Sequence, residues 1–152
     1  MKKIHWYKIS TLIILVGVFL SCEIEDIKPK ASPGNFSASV DGSQFKAVDI
    51  EANLFASSAD SLLEITATNK DQSILTISVN SLELGTYSSA SSVSFKYSKS
   101  LGNGVTSSES SSDGSITILS YNDTSKEISG TFNFNTKTYF ITNGKFDAIV
   151  VK

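Results

Sequence analysis

The chain has 152 residues, enough for one domain with a single hydrophobic core, and a formal net charge of −2 at neutral pH. Beyond the lysines at positions 2, 3 and 8, ten lysines face fifteen carboxylates and arginine is absent, which argues against a nucleic-acid partner. Because His5 and Cys22 are the only residues of their kinds, residues 23–152 cannot form a disulfide or a zinc site of Cys and His ligands. We expect no metal and no cofactor.

The first 21 residues have the order of parts of an export signal. Lys2 and Lys3 provide a positive start, residues 9–20 are mainly apolar, and the small residue Ser21 precedes Cys22. The apolar run of about 12 residues is shorter than the roughly 20 needed to cross a bilayer. The sequence therefore predicts a signal peptide over residues 1–21, cleaved between Ser21 and Cys22.

The segment from Phe19 to Cys22 resembles the lipobox of bacterial lipoproteins, in which the cysteine is acylated and becomes the mature N-terminus. The resemblance implies that Cys22 carries lipid. Each buried methylene contributes about 0.8 kcal/mol, and two acyl chains suffice for stable attachment. We therefore expect a membrane anchor at Cys22, in the outer membrane, with the periplasmic side and the cell surface both open as locations.

Residues 22–35 contain Glu23, Glu25 and Asp26, followed by a polar stretch with two prolines, and they predict a flexible tether. The acidic residues after Cys22 are similar to the surface-export signal of Bacteroidetes lipoproteins, although a merely solvating tether explains them equally well. Residues 36–152 then form the folded domain.

From residue 36 onward apolar residues recur at every second position, which is typical of strands with one buried face. The strands are too close together for parallel crossovers, so the pairing should be antiparallel. We predict an all-β domain, an antiparallel β-sandwich with a closed or flattened barrel as the alternative. The predicted strands are 36–40, 44–50, 61–68, 73–80, 92–98, 115–121, 126–135, 137–142 and 145–151, with 52–57 undecided.

Four turns and one long loop separate these strands. The dipeptides at 41–42 and 143–144, Asp-Gly and Asn-Gly, accept the positive φ of tight hairpins. Residues 69–72 and 122–125 predict longer turns. The serine-rich residues 98–115 predict a long mobile loop, which is either a solvated connector or a place for binding.

Two stretches near the C-terminus, Gly130 to Phe134 (GTFNF) and Ile141 to Phe146 (ITNGKF), resemble a domain of unknown function found in small Bacteroidetes lipoproteins. The resemblance extends over most of residues 36–149 and includes Phe36 to Gly42 as an opening hairpin and Leu84 to Tyr87 as a mid-domain turn. It implies no catalytic residue, cofactor or ligand.

An enzyme would depend on carboxylates, serine, lysine or tyrosine, since no histidine or cysteine lies in residues 23–152. A pair of carboxylates for glycoside hydrolysis is one arrangement to consider, and solvated strand charges are the other interpretation. The carboxylates concerned are Asp49, Glu51, Glu64 and Glu127. We expect that the protein is not an enzyme.

For binding, Tyr87 and Tyr121 lie beside turns and could stack on sugar rings, whereas Tyr97 shares its strand face with apolar residues and should be core. Asp60, Ser61 and Leu62 resemble an O-glycosylation acceptor of Bacteroidetes exported proteins, with Ser61 as the modified residue. The sequence thus predicts a lipid-anchored cell-envelope protein acting as a non-enzymatic binding or structural module. A glycan-binding accessory lipoprotein is the first alternative and a carboxylate-dependent hydrolase the second.

Overall fold

The computed structural model describes residues 34–56, 61–88, 92–111 and 113–152, and every regular element within them is a β-strand. The strands are β1 (Asn35–Val40), β2 (Ser43–Ala56), β3 (Ser61–Asn69), β4 (Ile74–Val79), β5 (Gly85–Tyr87), β6 (Val93–Gly102), β7 (Val105–Ser111), β8 (Gly114–Asn122), β9 (Glu127–Asn135) and β10 (Phe140–Val150). In this part of the chain, no helix has the length and apolar character needed to cross a membrane.

The ten strands form one antiparallel sheet in the order β5-β8-β9-β10-β1-β2-β3-β4-β6-β7. The sheet curls back on itself, because Phe95 of β6 stacks on Phe134 of β9 with ring centroids 4.7 Å apart. The two halves therefore face each other across one core, and the end strands β5 and β7 mark the open side. The prediction of an all-β antiparallel domain is confirmed, in a half-barrel form that lies between the sandwich and the closed barrel.

Alternation of buried and outward side chains builds the core of this curled sheet. Along β3 the side chains of Leu63, Ile65 and Ala67 are fully buried, and the residues between them face outward. The same period of two continues in β4 with Leu75 and Ile77. Because hydroxyl-bearing residues occupy many of the outward positions, the sheet has one dry face and one wet face, as its sequence pattern predicts.

Strand β2 is long because it contributes to both halves of the sheet. Its first residues pair with β1, and its remainder, from Ala47 to Ala56, pairs with β3. A bulge between Ala47 and Asp49 bends it. The undecided residues 52–57 thus belong largely to the same strand as 44–50. Further along β2, past the residues that pair with β1, Ala52 forms a parallel bridge with Val151 near the end of the chain.

The Asp41–Gly42 dipeptide is a hairpin turn, as predicted, with φ of 49° and 81°. The same expectation for Asn143–Gly144 is wrong. Residues 140–150 form the single strand β10, and Asn143 lies in a bulge with φ of 52°. A bulge and a hairpin turn both accept a positive φ, so the dipeptide alone does not separate them.

The predicted mobile loop at 98–115 is also wrong for most of its length. Strand β6 continues to Gly102, and β7 returns along it from Val105 to Ser111. Asn103 and Gly104 make the tight turn with φ of 51° and 75°. Ser98 is buried, and its Oγ lies 2.8 Å from Ser108 Oγ, so a hydrogen bond between two serine side chains joins the strands of this hairpin.

The segment that resembles a mid-domain turn, Leu84 to Tyr87, contains a strand. Residues 85–87 form β5, which pairs with β8 at the edge of the sheet. The longer turns at 69–72 and 122–125 are present as predicted. In the second of these turns, Asn122 Oδ1 accepts hydrogen bonds from the backbone N–H groups of Thr124 and Ser125.

The second bulge of β10 holds Ala148 in a strained backbone conformation that a glycine would adopt more easily. This residue has φ of 51° between the register positions of Phe146 and Ile149, and its N–H donates to Ser129 Oγ over 2.9 Å. A left-handed conformation costs a residue with a Cβ about 1 to 2 kcal/mol. Ala148→Gly should therefore stabilise the domain by about 0.5 to 1 kcal/mol, measured by urea denaturation. Ala148→Val should destabilise it, and a stabilising valine would contradict the strain.

Candidate functional site

Several residues predicted to be functional lie outside the described part of the chain, namely Ser21, Cys22 and Asp60. Ser61 is described: it is the partly buried first residue of β3 and pairs with Ala56 of β2.

The two tyrosines predicted to bind sugar, Tyr87 and Tyr121, are not brought together. Tyr87 is opposite Ile116 near the start of β8, whereas Tyr121 lies five residues further along that strand. Both pack against the core and are half-buried. The Tyr87 hydroxyl is 2.9 Å from Ser81 Oγ and from the Glu83 carbonyl oxygen, so it fastens the segment before β5.

The four carboxylates considered for hydrolysis are divided between two regions. Asp49 and Glu51 are exposed on the outer face of β2, and Glu64 of β3 lies diagonally across from Glu51. Glu127 begins β9, where it accepts a hydrogen bond from Ser125 over 3.0 Å. The first three therefore share the wet face of the sheet, where Asp49 and Glu51 are open to solvent.

A polar cleft of about 330 Å³, which the sequence pattern did not predict, opens at one end of the half-barrel. The turn after β1, the turn between β3 and β4, strand β6 and the connection from β9 to β10 surround it. Its lining is Val40, Asp41, Ser43, Gln44, Phe45, Asn69, Asp71, Ser73, Tyr97, Lys99, Ser100 and Tyr139. A second groove of about 370 Å³ lies where the described chain begins, beside Gly34, and it contains one aromatic residue, the buried Phe36.

Two tyrosine rings form an aromatic corner in the polar cleft. The Tyr97 and Tyr139 centroids are 4.8 Å apart with the ring planes at 77°, an edge-to-face arrangement. Lys99, two residues after Tyr97 on the same side of β6, places its Nζ 5.6 Å from the Tyr139 centroid. The corner therefore combines two aromatic rings with a cation.

The inner wall of the cleft is tied together around Ser73, a buried residue at the end of the β3–β4 turn. Its N–H donates to Asn69 Oδ1 over 2.9 Å, and its Oγ accepts from the N–H of Ser100 over 3.0 Å. Burial raises the pKa of Tyr97, and the hydrogen bond with Ser73 opposes that effect. Tyr97 is thus core, as predicted, with its hydroxyl end in the cleft.

Two carboxylates face the aromatic corner from different turns. Asp41 is held in place because its Oδ1 accepts a hydrogen bond from the N–H of Phe140 over 2.9 Å. Asp71 lies in the β3–β4 turn. The negative charges of both add to the burial that raises the pKa of Tyr97. The two carboxylates are therefore close enough to this corner to interact with a charge there.

A contact between β7 and the β9–β10 connection positions Tyr139. Glu109 Oε2 accepts a hydrogen bond from the N–H of Thr138 over 2.9 Å, and Thr136 Oγ1 accepts one from the N–H of Tyr139 over 2.9 Å. Hydrogen bonds from Thr138 and Thr136, with the positive charge of Lys137, hold the pKa of Glu109 below its ordinary value.

This contact predicts an effect of pH on the loop that carries Tyr139. The folded-state pKa of Glu109 is below the ordinary 4.5, so the contact is fully formed above pH 4.5 and is lost as pH falls through the lower folded value. We expect the Thr138 amide proton resonance to move upfield through that transition in an NMR titration, and Glu109→Gln to remove the transition. A titration unchanged in Glu109→Gln would contradict the assignment, and Glu83→Gln is the matched control.

The cleft offers groups that can donate and accept hydrogen bonds beside two aromatic rings. Its lining includes hydroxyl, amide, carboxylate and ammonium groups, together with the apolar side chains of Val40 and Phe45. Ligand sites commonly combine such convergent polar groups with an apolar wall. Among the described residues, no three of His, Cys, Asp or Glu are grouped closely enough to hold a metal ion.

A family model described as a domain of unknown function (DUF6252) matches residues 32–150, most of the chain. The chain belongs to this family. The resemblance seen in its C-terminal motifs is confirmed at the level of a domain of unknown function. No curated protein and no solved structure matches the chain.

In this DUF6252 domain, the two motifs on which the resemblance rests build the core. Gly130 of β9 is opposite Phe146 of β10, and Gly144 of β10 is opposite Phe132 of β9. A Cβ on Gly130 would lie 2.4 Å from the Phe146 ring, and one on Gly144 would lie 2.5 Å from the Phe132 ring. Each glycine therefore makes room for the aromatic ring across the strand pair, and the polar cleft is formed by other residues.

Proposed function

We propose that this DUF6252 chain is a lipid-anchored, non-enzymatic binding domain of the cell envelope, which takes its ligand in the polar cleft. One observation carries the binding part: Tyr97, Tyr139 and Lys99 converge at 4.8 and 5.6 Å in a cleft that also contains Asp41 and Asp71. The volume of the cleft, about 330 Å³, is at the lower end of the range for small-molecule sites, which is about 300 to 1,000 Å³.

The direction of β1 supports an anchored domain whose cleft lies away from the point where the tether enters. Strand β1 starts at Asn35, the last residue of the predicted tether, and ends next to Asp41 in the cleft. At about 3.3 Å per residue, its length separates the two ends by roughly 17 Å. A tether anchored by lipid on Cys22 would thus join the domain at the end remote from the cleft and would leave the cleft free for a ligand.

The composition supports the absence of catalysis. Residues 23–152 contain neither histidine nor cysteine, so the commonest general base and the strongest nucleophile are missing. Asp49, Glu51 and Glu64, which the hydrolase alternative requires, lie on an outward face of the sheet. That position suits solvated strand charges better than acid and base groups around a bound substrate.

Glycan binding is the second candidate, and it is favoured by the polar lining of the cleft. Ser43, Gln44 and Asn69 supply hydroxyl and amide groups around the two tyrosine rings. Such groups satisfy the donors and acceptors of a sugar while an aromatic ring packs against its apolar face. In this alternative the tyrosines concerned are Tyr97 and Tyr139, and Tyr87 and Tyr121 serve the core.

The anchored location is tested by comparing the wild-type chain with Cys22→Ala in a lipoprotein-processing bacterium. We expect acyl labelling of the wild type and none of the variant. Protease treatment of intact cells then decides the location, because digestion of the wild type shows surface exposure and protection shows the periplasmic side. An unlabelled wild type, or a variant that keeps its label, would reject the lipid anchor.

A further inference from the structure

We infer that the polar cleft recognises an organic ammonium group, and that the Lys99 side chain occupies the ammonium position in the free protein. This inference rests on the proposed function, because it assigns a ligand class to the same cleft. The ligand is a primary amine on an apolar or hydroxylated skeleton.

The aromatic corner already holds a cation. Lys99 Nζ lies 5.6 Å from the centre of the Tyr139 ring, within the roughly 6 Å over which a cation is attracted to a ring face. Tyr97 meets the same ring edge to face, so the ring that attracts the cation also packs against a second ring. An ammonium group fits there with no rearrangement of either ring.

The charges around this position favour a cation. The charged side chains that line the cleft are Asp41, Asp71 and Lys99, so two carboxylates face one ammonium. When the Lys99 ammonium leaves, the lining has only negative formal charge. An amine brought by a ligand restores the balance at the same ring face, which a neutral or anionic group does not do.

Lys99 can leave its position easily. Its side chain is exposed and has a flexible four-carbon stem. The ion pair in the described part of the chain is between Lys126 and Asp123, in a turn away from the cleft, and Lys99 rests on a ring face and not on a carboxylate. An exposed cation and ring contact is weak, so a ligand amine displaces it at little cost.

The test uses the full-length chain purified in detergent and three matched pairs of probes, titrated by calorimetry. Cadaverine is paired with 1,5-pentanediol, Nα-acetyl-lysine methylamide with Nα-acetyl-norleucine methylamide, and glucosamine with glucose. Each pair tests one possible source of the ligand's ammonium group, namely a free amine, a lysine in a peptide or an amino sugar. We expect the charged member of at least one pair to bind about 3- to 10-fold more tightly than its uncharged match.

Variants of the aromatic corner make the test specific. Lys99→Ala should tighten amine binding by about 3- to 10-fold, because it removes the competing cation. Tyr139→Leu should weaken it by about 3- to 10-fold, and Tyr139→Phe should retain it because the ring face remains. Lys96→Ala, on the opposite face of β6, is the matched control and should change nothing.

The possible results separate the two proposals. Equal binding of charged and uncharged probes, or loss of amine binding in Lys99→Ala, would overturn the ammonium inference. If the uncharged probes bind as well as the charged ones, and Tyr139→Leu abolishes their binding, the cleft is still a binding site but its ligand belongs to another class. If no probe of either charge binds, the ammonium inference fails, and the absence of any cleft response would also count against the proposed function.

Discussion

Replacing Gly130 by alanine is expected to destabilise the domain by about 3 kcal/mol, at the upper end of the usual cost of overpacking a core. The added Cβ would lie 2.2 Å from the carbonyl oxygen of Thr117 and 2.4 Å from the Phe146 ring. The first contact is with the backbone of β8, which cannot move without opening the sheet. Urea denaturation at neutral pH gives the free energy of unfolding directly.

Gly144→Ala should have a similar effect, because its Cβ would meet the Phe132 ring and carbonyl oxygen, each at 2.5 Å. Thr131→Ala is the matched control on β9, since Thr131 is exposed between two buried residues. We expect that control to stay within about 0.5 kcal/mol of the wild type. Two glycine variants as stable as the control would show that the motif glycines do not make room for the rings.

Phe134→Ala is expected to cost about 3 to 5 kcal/mol, the usual price of truncating a buried phenylalanine. The Phe134 ring is 1% exposed and stacks on Phe95 of the opposite half of the sheet, with centroids 4.7 Å apart. It also packs beside Phe132, whose centroid is 6.4 Å away. The variant therefore leaves a cavity where the two halves of the half-barrel meet.

Phe140→Ala is the matched control for this truncation. It removes the same side chain from the first residue of β10, where the ring is 62% exposed. Its effect should stay within about 0.5 kcal/mol. If both phenylalanine variants lost the same stability, the stacking of β6 on β9 would not be the contact that holds the halves together.

The fold was predictable wherever one face of a strand is apolar. Alternation in Leu63, Ile65 and Ala67 is a local signal of a half-buried strand, and the structure confirms it. Strand β7 has no such signal, since its residues are mostly exposed serines at the edge of the sheet. The Asn103–Gly104 dipeptide was a local hint of that hairpin, and the serine-rich composition around it favoured a loop.

The difference between a bulge and a turn could not be predicted from the residues alone. Asp41–Gly42 and Asn143–Gly144 have the same local preference for positive φ, yet only the first turns the chain. What keeps β10 continuous is its partner strand, because Gly144 must lie under the Phe132 ring. That requirement depends on the register of β9 and β10, which local sequence does not specify.

The polar cleft could not be predicted from the sequence for the same reason. The charged residues and tyrosines that line it come from positions 41, 71, 97, 99 and 139, and the curl of the sheet brings them together. Tyr139 falls inside the predicted strand 137–142, whereas in the structure it precedes β10 and packs half-buried against the core. No local pattern pairs it with Tyr97, whose apolar strand neighbours correctly indicated a core position.

The most direct test of the central claim is an NMR map of backbone amide shifts during titration of the full-length chain with cadaverine, Nα-acetyl-lysine methylamide and glucosamine in turn. For at least one of these amines we expect saturable shifts concentrated at Asp41, Asp71, residues 97–100 and Tyr139, which surround the aromatic corner. Shifts concentrated at Tyr87 and Tyr121, or on the outer face around Glu51, would contradict this claim, as would spectra that all three amines leave unchanged.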